Sequence, residues 1–249
     1  MGVFTGIEPT WAAETNIGRT HIATKGIVQD SLVLNLDAGV SSSYPGSGTT
    51  WTDLSGNGNN GTLVNGVGFD SANGGSLDFE QTNTYANFGN ILNFTTENFT
   101  FNTFLYLTSN TNTNNQNPVL FYKGQFQVNG YYIQFGGTSP AIVSFVTNQS
   151  GAYQVTQSSS SLVVGAWNCL SIVRNGSSVR IYVNAVDVTS TAGTHINPAS
   201  SGDAFLMSVY NYVTFFSDVR IASFQAYNKA LTAQEVQQNY LSMKSRFGL

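Results

Sequence analysis

From residue 31 onward, apolar residues recur at every second position in short runs, the period of a strand with one buried face. The pattern is clearest in residues 165–186. Leu170 and Ile172 alternate with polar or smaller residues, and Val179, Ile181 and Val183 alternate with Arg180, Tyr182 and Asn184. Asn175-Gly176 between these runs supplies the positive φ angles of a tight hairpin turn. Further strand signals fall at 32–37, 76–79, 85–88, 99–107, 119–122, 131–135, 142–146, 153–156, 204–209 and 218–226. In 99–107, Phe99, Phe101, Leu105 and Leu107 share one face. Most runs are bounded by Asn, Gly, Ser or Pro, and so many short strands predict an all-β sandwich or barrel, not βαβ units. Residues 108–118 read as a polar loop ending at Pro118, and Gln157 with the four serines after it as a flexible connection.

The period changes once, near the C-terminus. Thr232 and Glu235 have capping-box spacing, with Leu231 and Val236 placed for a hydrophobic staple. Val236, Tyr240 and Met243 then form one helical stripe that packs on the sandwich. Lys244 and Arg246 suit the negative end of the helix dipole. Residues 1–30 show little alternation and read as an extended N-terminal arm, separate from a domain at 31–249. The arm is either a frayed terminus or an attachment segment with Phe4, Ile7, Trp11 and Ile17 as anchors.

Composition narrows the partners. Charged residues make up 9% of the 249 residues, against about 25% in ordinary soluble domains. The net charge of −4 gives no reason to expect nucleic acid or an anionic membrane as a partner. The surface is then a neutral coat of Ser, Thr, Asn, Gln and Gly. Such a coat suits exposure outside a cell, or packing in an assembly where buried charge is costly. Cys169 is the single cysteine, so no intramolecular disulfide is expected. No apolar run approaches the roughly 18 residues of a membrane span. Residues 1–8 lack the basic-then-apolar order of a secretion signal.

Three segments carry a family resemblance. Trp51, Asp53, Ser55-Gly56-Asn57 and Gly61 form an opening motif. Gly165, Trp167, Arg174-Asn175-Gly176 and Val179 to Asn184 form a hairpin motif, with Ala185 where the usual residue is Gly. Ile221, then Tyr227-Asn228-Lys229-Ala230-Leu231-Thr232 and Glu235-Val236, form a closing motif. In this order they resemble laminin-G-like domains of the concanavalin A-like superfamily, over about residues 32–245. The resemblance implies a two-sheet antiparallel jelly-roll sandwich with a short C-terminal helix.

Glycosidases on this fold place two carboxylates on one strand about 5 Å apart. Here Asp78-Phe79-Glu80 lacks the third acid of their motif. A Ser-His-Asp site needs a histidine beside an activated serine. His21 falls in the arm, His195 in a Gly/Thr/Asn/Pro loop, and no G-x-S-x-G is present. One cysteine and two histidines scarcely supply a zinc site. No enzyme is therefore expected. The resemblance implies two ligand classes instead. Calcium would use Asp53 with Asn57 and Asn59 as oxygen donors; the other reading is that these groups only bond their own turn. A sugar would need an exposed aromatic platform, for which Tyr131, Tyr132, Tyr153, Tyr210 and Tyr212 are candidates, each also readable as core. Trp51 and Trp167 read as core anchors. The sequons at Asn60, Asn93, Asn98, Asn148 and Asn175 are expected by chance in this composition.

The stretch from Leu34 to Leu63 resembles the opening of phage structural proteins that carry this domain. With the low charge and the arm, it implies a virion protein: a capsid decoration, fibre or tail-associated component. Its partners would be capsid or tail proteins through the arm, host surface glycans through the sandwich, and further copies of the chain. The alternative is a cellular carbohydrate-binding lectin. Deleting residues 1–30 is expected to leave a folded sandwich that no longer joins particles. Normal incorporation of the truncated chain, measured by mass spectrometry of purified particles, contradicts the arm's role.

Overall fold

The computed structural model describes residues 26–79, 83–94, 98–109, 117–125, 128–136, 140–200, 202–208 and 218–249. Phe4, Ile7, Trp11, Ile17, His21, Glu80, Tyr210 and Tyr212 lie outside the described residues. In chain order the strands are β1 (Leu32–Asp37), β2 (Thr50–Trp51), β3 (Gly61–Val64), β4 (Gly68–Asp70), β5 (Ser76–Phe79), β6 (Tyr85–Asn87), β7 (Phe99–Leu107) and β8 (Val119–Gln125). There follow β9 (Asn129–Phe135), β10 (Ala141–Gln149), β11 (Ala152–Leu162), β12 (Trp167–Asn175), β13 (Ser178–Val183), β14 (Val186–Asp187), β15 (Ala204–Leu206) and β16 (Val219–Tyr227). Helix α1 (Ala233–Met243) closes the chain with a 3₁₀ turn at Lys244–Phe247.

Two antiparallel sheets form the sandwich. Sheet A runs β14-β13-β12-β7-β16-β5-β4, with β1 also paired to β16. Sheet B runs β11-β10-β9-β8-β15-β6-β3-β2. Alternation sends one residue in two of each strand inward. From sheet A come Phe99, Phe101 and Phe224; from sheet B come Phe121, Tyr131 and Phe145, all at most 1% exposed. Phe101 and Phe121 meet at 4.8 Å between ring centroids, Phe121 and Phe224 at 5.4 Å, and Phe99 and Tyr131 at 5.2 Å. Burying each such ring contributes about 1.5–3 kcal/mol. Trp51 is fully buried in the same layer. Trp167 is also buried, but on the opposite side of its sheet.

That opposite side is covered by α1. Thr232 and Glu235 make both reciprocal bonds of the capping box, which satisfies two backbone donors at the helix start. Tyr240 and Met243 pack with Phe247 on Phe104, Trp167, Cys169 and Ala222. Val236 and Leu231 pack with Tyr227, Tyr182 and Val28. The backbone N–H of Val28 donates to Asn239 Oδ1 at 2.8 Å, so residues just before 31 dock on the helix. Arg246 clamps the chain end, donating to Asp37 Oδ1 (2.7 Å) and to the carbonyls of Asn73 and Gly75.

The serine-rich stretch corrects the sequence reading. Residues 157–161 are not a flexible connection but belong to β11, an edge strand of 11 residues. The segment after β14 stitches onto that edge: Gln157 N–H donates to Thr191 O and Ser159 N–H to Val188 O. Serines serve here because their hydroxyls add backbone bonds, as Ser158 Oγ does to Val143 N–H (3.0 Å) and Ser160 O (2.7 Å). Pairing removes the open edge that invites aggregation. Beyond β14, His195 plugs the gap between the sheets. Its Nδ1 lies 2.9 Å from Thr147 Oγ1 and its Nε2 2.8 Å from Thr156 Oγ1. Thr147 donates its hydroxyl to Gln154 Oε1, so it accepts from Nδ1–H, and Nε2 accepts from Thr156. Arg174, 1% exposed, donates to Ile196 O at 2.8 Å from beneath the same loop.

Two expectations follow from these contacts. Ala185 sits in the left-handed region (φ 63) in the β13–β14 turn, where a Cβ costs about 1 kcal/mol. Ala185→Gly is therefore expected to raise unfolding stability by about that amount, read from urea midpoints; a loss contradicts the assignment. Burial, and secondarily the charge of Arg174, push the His195 pKa down to about 4. Between that value and the ordinary 6.5 the unfolded chain binds the proton and the fold does not, so stability is complete above pH 6.5 and falls toward pH 4, by up to about 3 kcal/mol. The loss should shrink in His195→Gln; an equal loss in both proteins contradicts the role of the ring.

Candidate functional site

The outer face of sheet B is where the aromatic candidates separate. Tyr131 and Tyr132 are consecutive in β9, so the pleat sends them to opposite sides. Tyr131 goes inward, is 1% exposed, and donates its hydroxyl to Leu92 O at 2.7 Å. It is core and cannot offer a platform, which corrects its candidacy. Tyr132 goes outward and stacks on Tyr122 of β8 at 5.7 Å. Tyr153 of β11 also points outward and is 44% exposed. By register it stands opposite Asn148, two residues along β10 from Val146, the partner of Tyr132. Burial first, then Tyr153, pushes the Tyr132 pKa up to about 12, so the phenol is a neutral donor and acceptor at physiological pH.

Cross-strand register arranges this face in rows. One row runs Phe205, Tyr122, Tyr132, Val146 and Val155 across β15, β8, β9, β10 and β11. Tyr85 joins it edge-on to Phe205 at 6.1 Å. A polar row lies beside it, with Gln134 opposite Ser144 and Gln157 donating to Ser144 Oγ at 3.2 Å. On the other side runs Gly124, Gly130, Asn148 and Tyr153. No side chain grows from the two glycines, whose φ angles are 123 and 106. A Cβ on Gly130 would fall on Lys123 O, so the notch is fixed by backbone contact. Tyr122 and Phe205 were not singled out from the sequence, and Asn148 was named there only as a sequon. Strand parity gives the signal for them, since Phe121, Ala204 and Thr147 beside them are inward.

The other candidates sit elsewhere. Asp53 is 7% exposed, and both its carboxylate oxygens are occupied by donors from its own loop and from β1. Its Oδ1 accepts from the N–H groups of Asn35 and Ser55, and its Oδ2 from Ser55 Oγ and Asn59 N–H, all within 3.0 Å. The amide nitrogens of Asn57 and Asn59 point at Val33 O. These groups hold the turn together and tie it to β1; a calcium ion there would have to displace donors on both carboxylate oxygens. Asp78 lies on the outer face of sheet A, 3.8 Å from Arg220. Among the described residues no group of three His, Cys, Asp or Glu side chains converges. Cys169 is buried beneath α1, and that burial pushes its thiol pKa up.

Between Glu97 and Arg174 the only charged residue is Lys123. It points inward, where its ammonium donates to Asn90 Oδ1 (2.8 Å) and to Gly202 O. The outward positions of β8 to β11 therefore carry no charge.

Comparison with known proteins places this geometry. No curated protein matches the chain. Among solved structures, the binding domain of Paraclostridial mosquitocidal protein 1 is similar at 16% identity and TM-score 0.66, over 85% of this chain and 52% of that one. The botulinum neurotoxin serotype D binding domain is similar at 13% identity and TM-score 0.62, over 86% and 52%. The chain thus spans about half of each toxin binding domain. Domain 4 of a GH43 extracellular arabinanase from Geobacillus stearothermophilus, solved with arabinotriose, is similar at 13% identity and TM-score 0.65, over 84% of this chain and 98% of that one. Residues 80–237 match the Laminin_G_3 family, and the chain belongs to this family of the concanavalin A-like lectin/glucanase superfamily.

Proposed function

We propose that this chain is a non-catalytic glycan-binding module that works on a virion, attached through residues 1–30 and turned toward host surface glycans. The observation that carries the glycan reading is the pairing of Tyr132 and Tyr153 with amide and hydroxyl groups on a charge-free sheet face. A sugar ring presents apolar C–H edges that lie on tyrosine rings, while its hydroxyls exchange hydrogen bonds with neutral amides. The similar solved domains named above are binding domains by their descriptions, which accords with this reading. The virion part rests on the resemblance of the opening segment and on the nearly uncharged coat. A second reading is a carbohydrate-binding module within a larger secreted protein, favoured by the near-complete overlap with the arabinanase domain.

Glycan-array screening of the isolated chain tests the glycan reading. Binding is expected, with about fivefold loss in Tyr153→Ala, equal to about 1 kcal/mol of lost ring contact. Thermal stability should not change, because Tyr153 is exposed. Absence of binding, or unaltered binding by Tyr153→Ala, contradicts it. Electron microscopy of purified particles, labelled with antibody to the chain, tests the virion part; unlabelled particles contradict it.

A further inference from the structure

Asn148 is the least settled polar side chain on the tyrosine face. It is 2% exposed, and its Oδ1 has no hydrogen-bond partner among the described residues. An acceptor sealed from water without a donor is destabilising, and native folds rarely keep one without a use. Its cross-strand neighbours are Gly130, which leaves a notch, and Tyr153, which stands exposed on the edge strand. The outward positions of β8 to β11 supply amides, hydroxyls and phenols, but no guanidinium, ammonium or carboxylate. The nearest acid by register is Asp203, whose carbonyl accepts from Gly124 at the rim, and a carboxylate there repels anions.

Building on the glycan reading, we infer that the ligand is a neutral saccharide, and that Asn148 Oδ1 accepts a hydrogen bond from one of its hydroxyls. Tyr153 turns aside to admit that hydroxyl and then covers the ring. An acidic sugar is disfavoured because this face offers its carboxylate or sulfate no cation to pair with. Calcium bridging is disfavoured because β8 to β11 present no carboxylate and the single rim acid, Asp203, has no second acid to share an ion with among the described residues. Recognition is then insensitive to salt, since no charge is screened.

Native gels cast with neutral polysaccharides (arabinan, galactan, mannan, dextran) or acidic ones (polygalacturonate, polysialic acid, heparin) test the inference with the full chain. Retardation is expected in at least one neutral gel and in no acidic gel, unchanged by EDTA and by high sodium chloride. Asn148→Ala is expected to bind about tenfold more weakly while its melting temperature holds or rises, because a sealed, unpaired acceptor has been removed. A structural role for Asn148 would instead lower the melting temperature. Retardation by an acidic polymer that salt abolishes overturns the inference but leaves glycan binding standing. Retardation by none of these polymers overturns both. Self-association that Tyr153→Ala abolishes assigns the face to a second copy of the chain, and likewise overturns both.

Discussion

Phe101 and Phe224 reach across from sheet A to Phe121 of sheet B, and Phe99 reaches to Tyr131. This closed aromatic layer is the constraint on which the remaining structure depends. It fixes the parity of β7, β8, β9 and β16, because a slip of one residue would turn every ring outward. Once parity is fixed, each strand's second face is fixed too. Tyr132 must point away from the core because Tyr131 points into it. The candidate site is thus a by-product of core packing, held by rings that are at most 1% exposed.

The two outer faces then take different roles. Sheet A is covered by α1, whose capping box and Arg246 clamp hold it against Phe104, Trp167 and Cys169. Between these apolar contacts runs a polar ladder, in which Asn102 donates to Gln225 and accepts from Ser171. That face is thereby closed to ligands along its middle. Sheet B carries tyrosines and neutral amides outward, with its one nearby lysine turned into the interior and pushed down to a pKa of about 8 by burial, against the opposing charge of Asp203. The low overall charge is therefore unevenly placed. It is lowest where the proposed binding face lies.

Much of this was legible in the sequence, for physical reasons. β7 was placed at its observed bounds, and the β12–β13 hairpin fell within the 165–186 stretch read for it, because one buried face forces the pattern. The helix was legible from Thr232 and Glu235 for the same reason that the capping box forms. The family resemblance supplied the sandwich topology that local pattern alone leaves open. β11 was misread because its serines lack alternation; it pairs with β10 on one side, and residues 188–191 bond its other edge, a tertiary partner that no local window contains. The short β2, β3, β4 and β14 carry too few residues to show a period. Among the site candidates, Tyr132 and Tyr153 fell on one face, Tyr131 fell inward, and the Asp53 loop turned its donors on itself. Composition ranks tyrosines equally, and only register separates them.

Hydrogen–deuterium exchange of the full chain, with and without a neutral polysaccharide that retards it, tests the central claim most directly. The account predicts protection confined to residues 130–134 and 146–155, the strands that carry Tyr132, Asn148 and Tyr153. Protection centred on residues 53–60, or on sheet A beside α1, would contradict it.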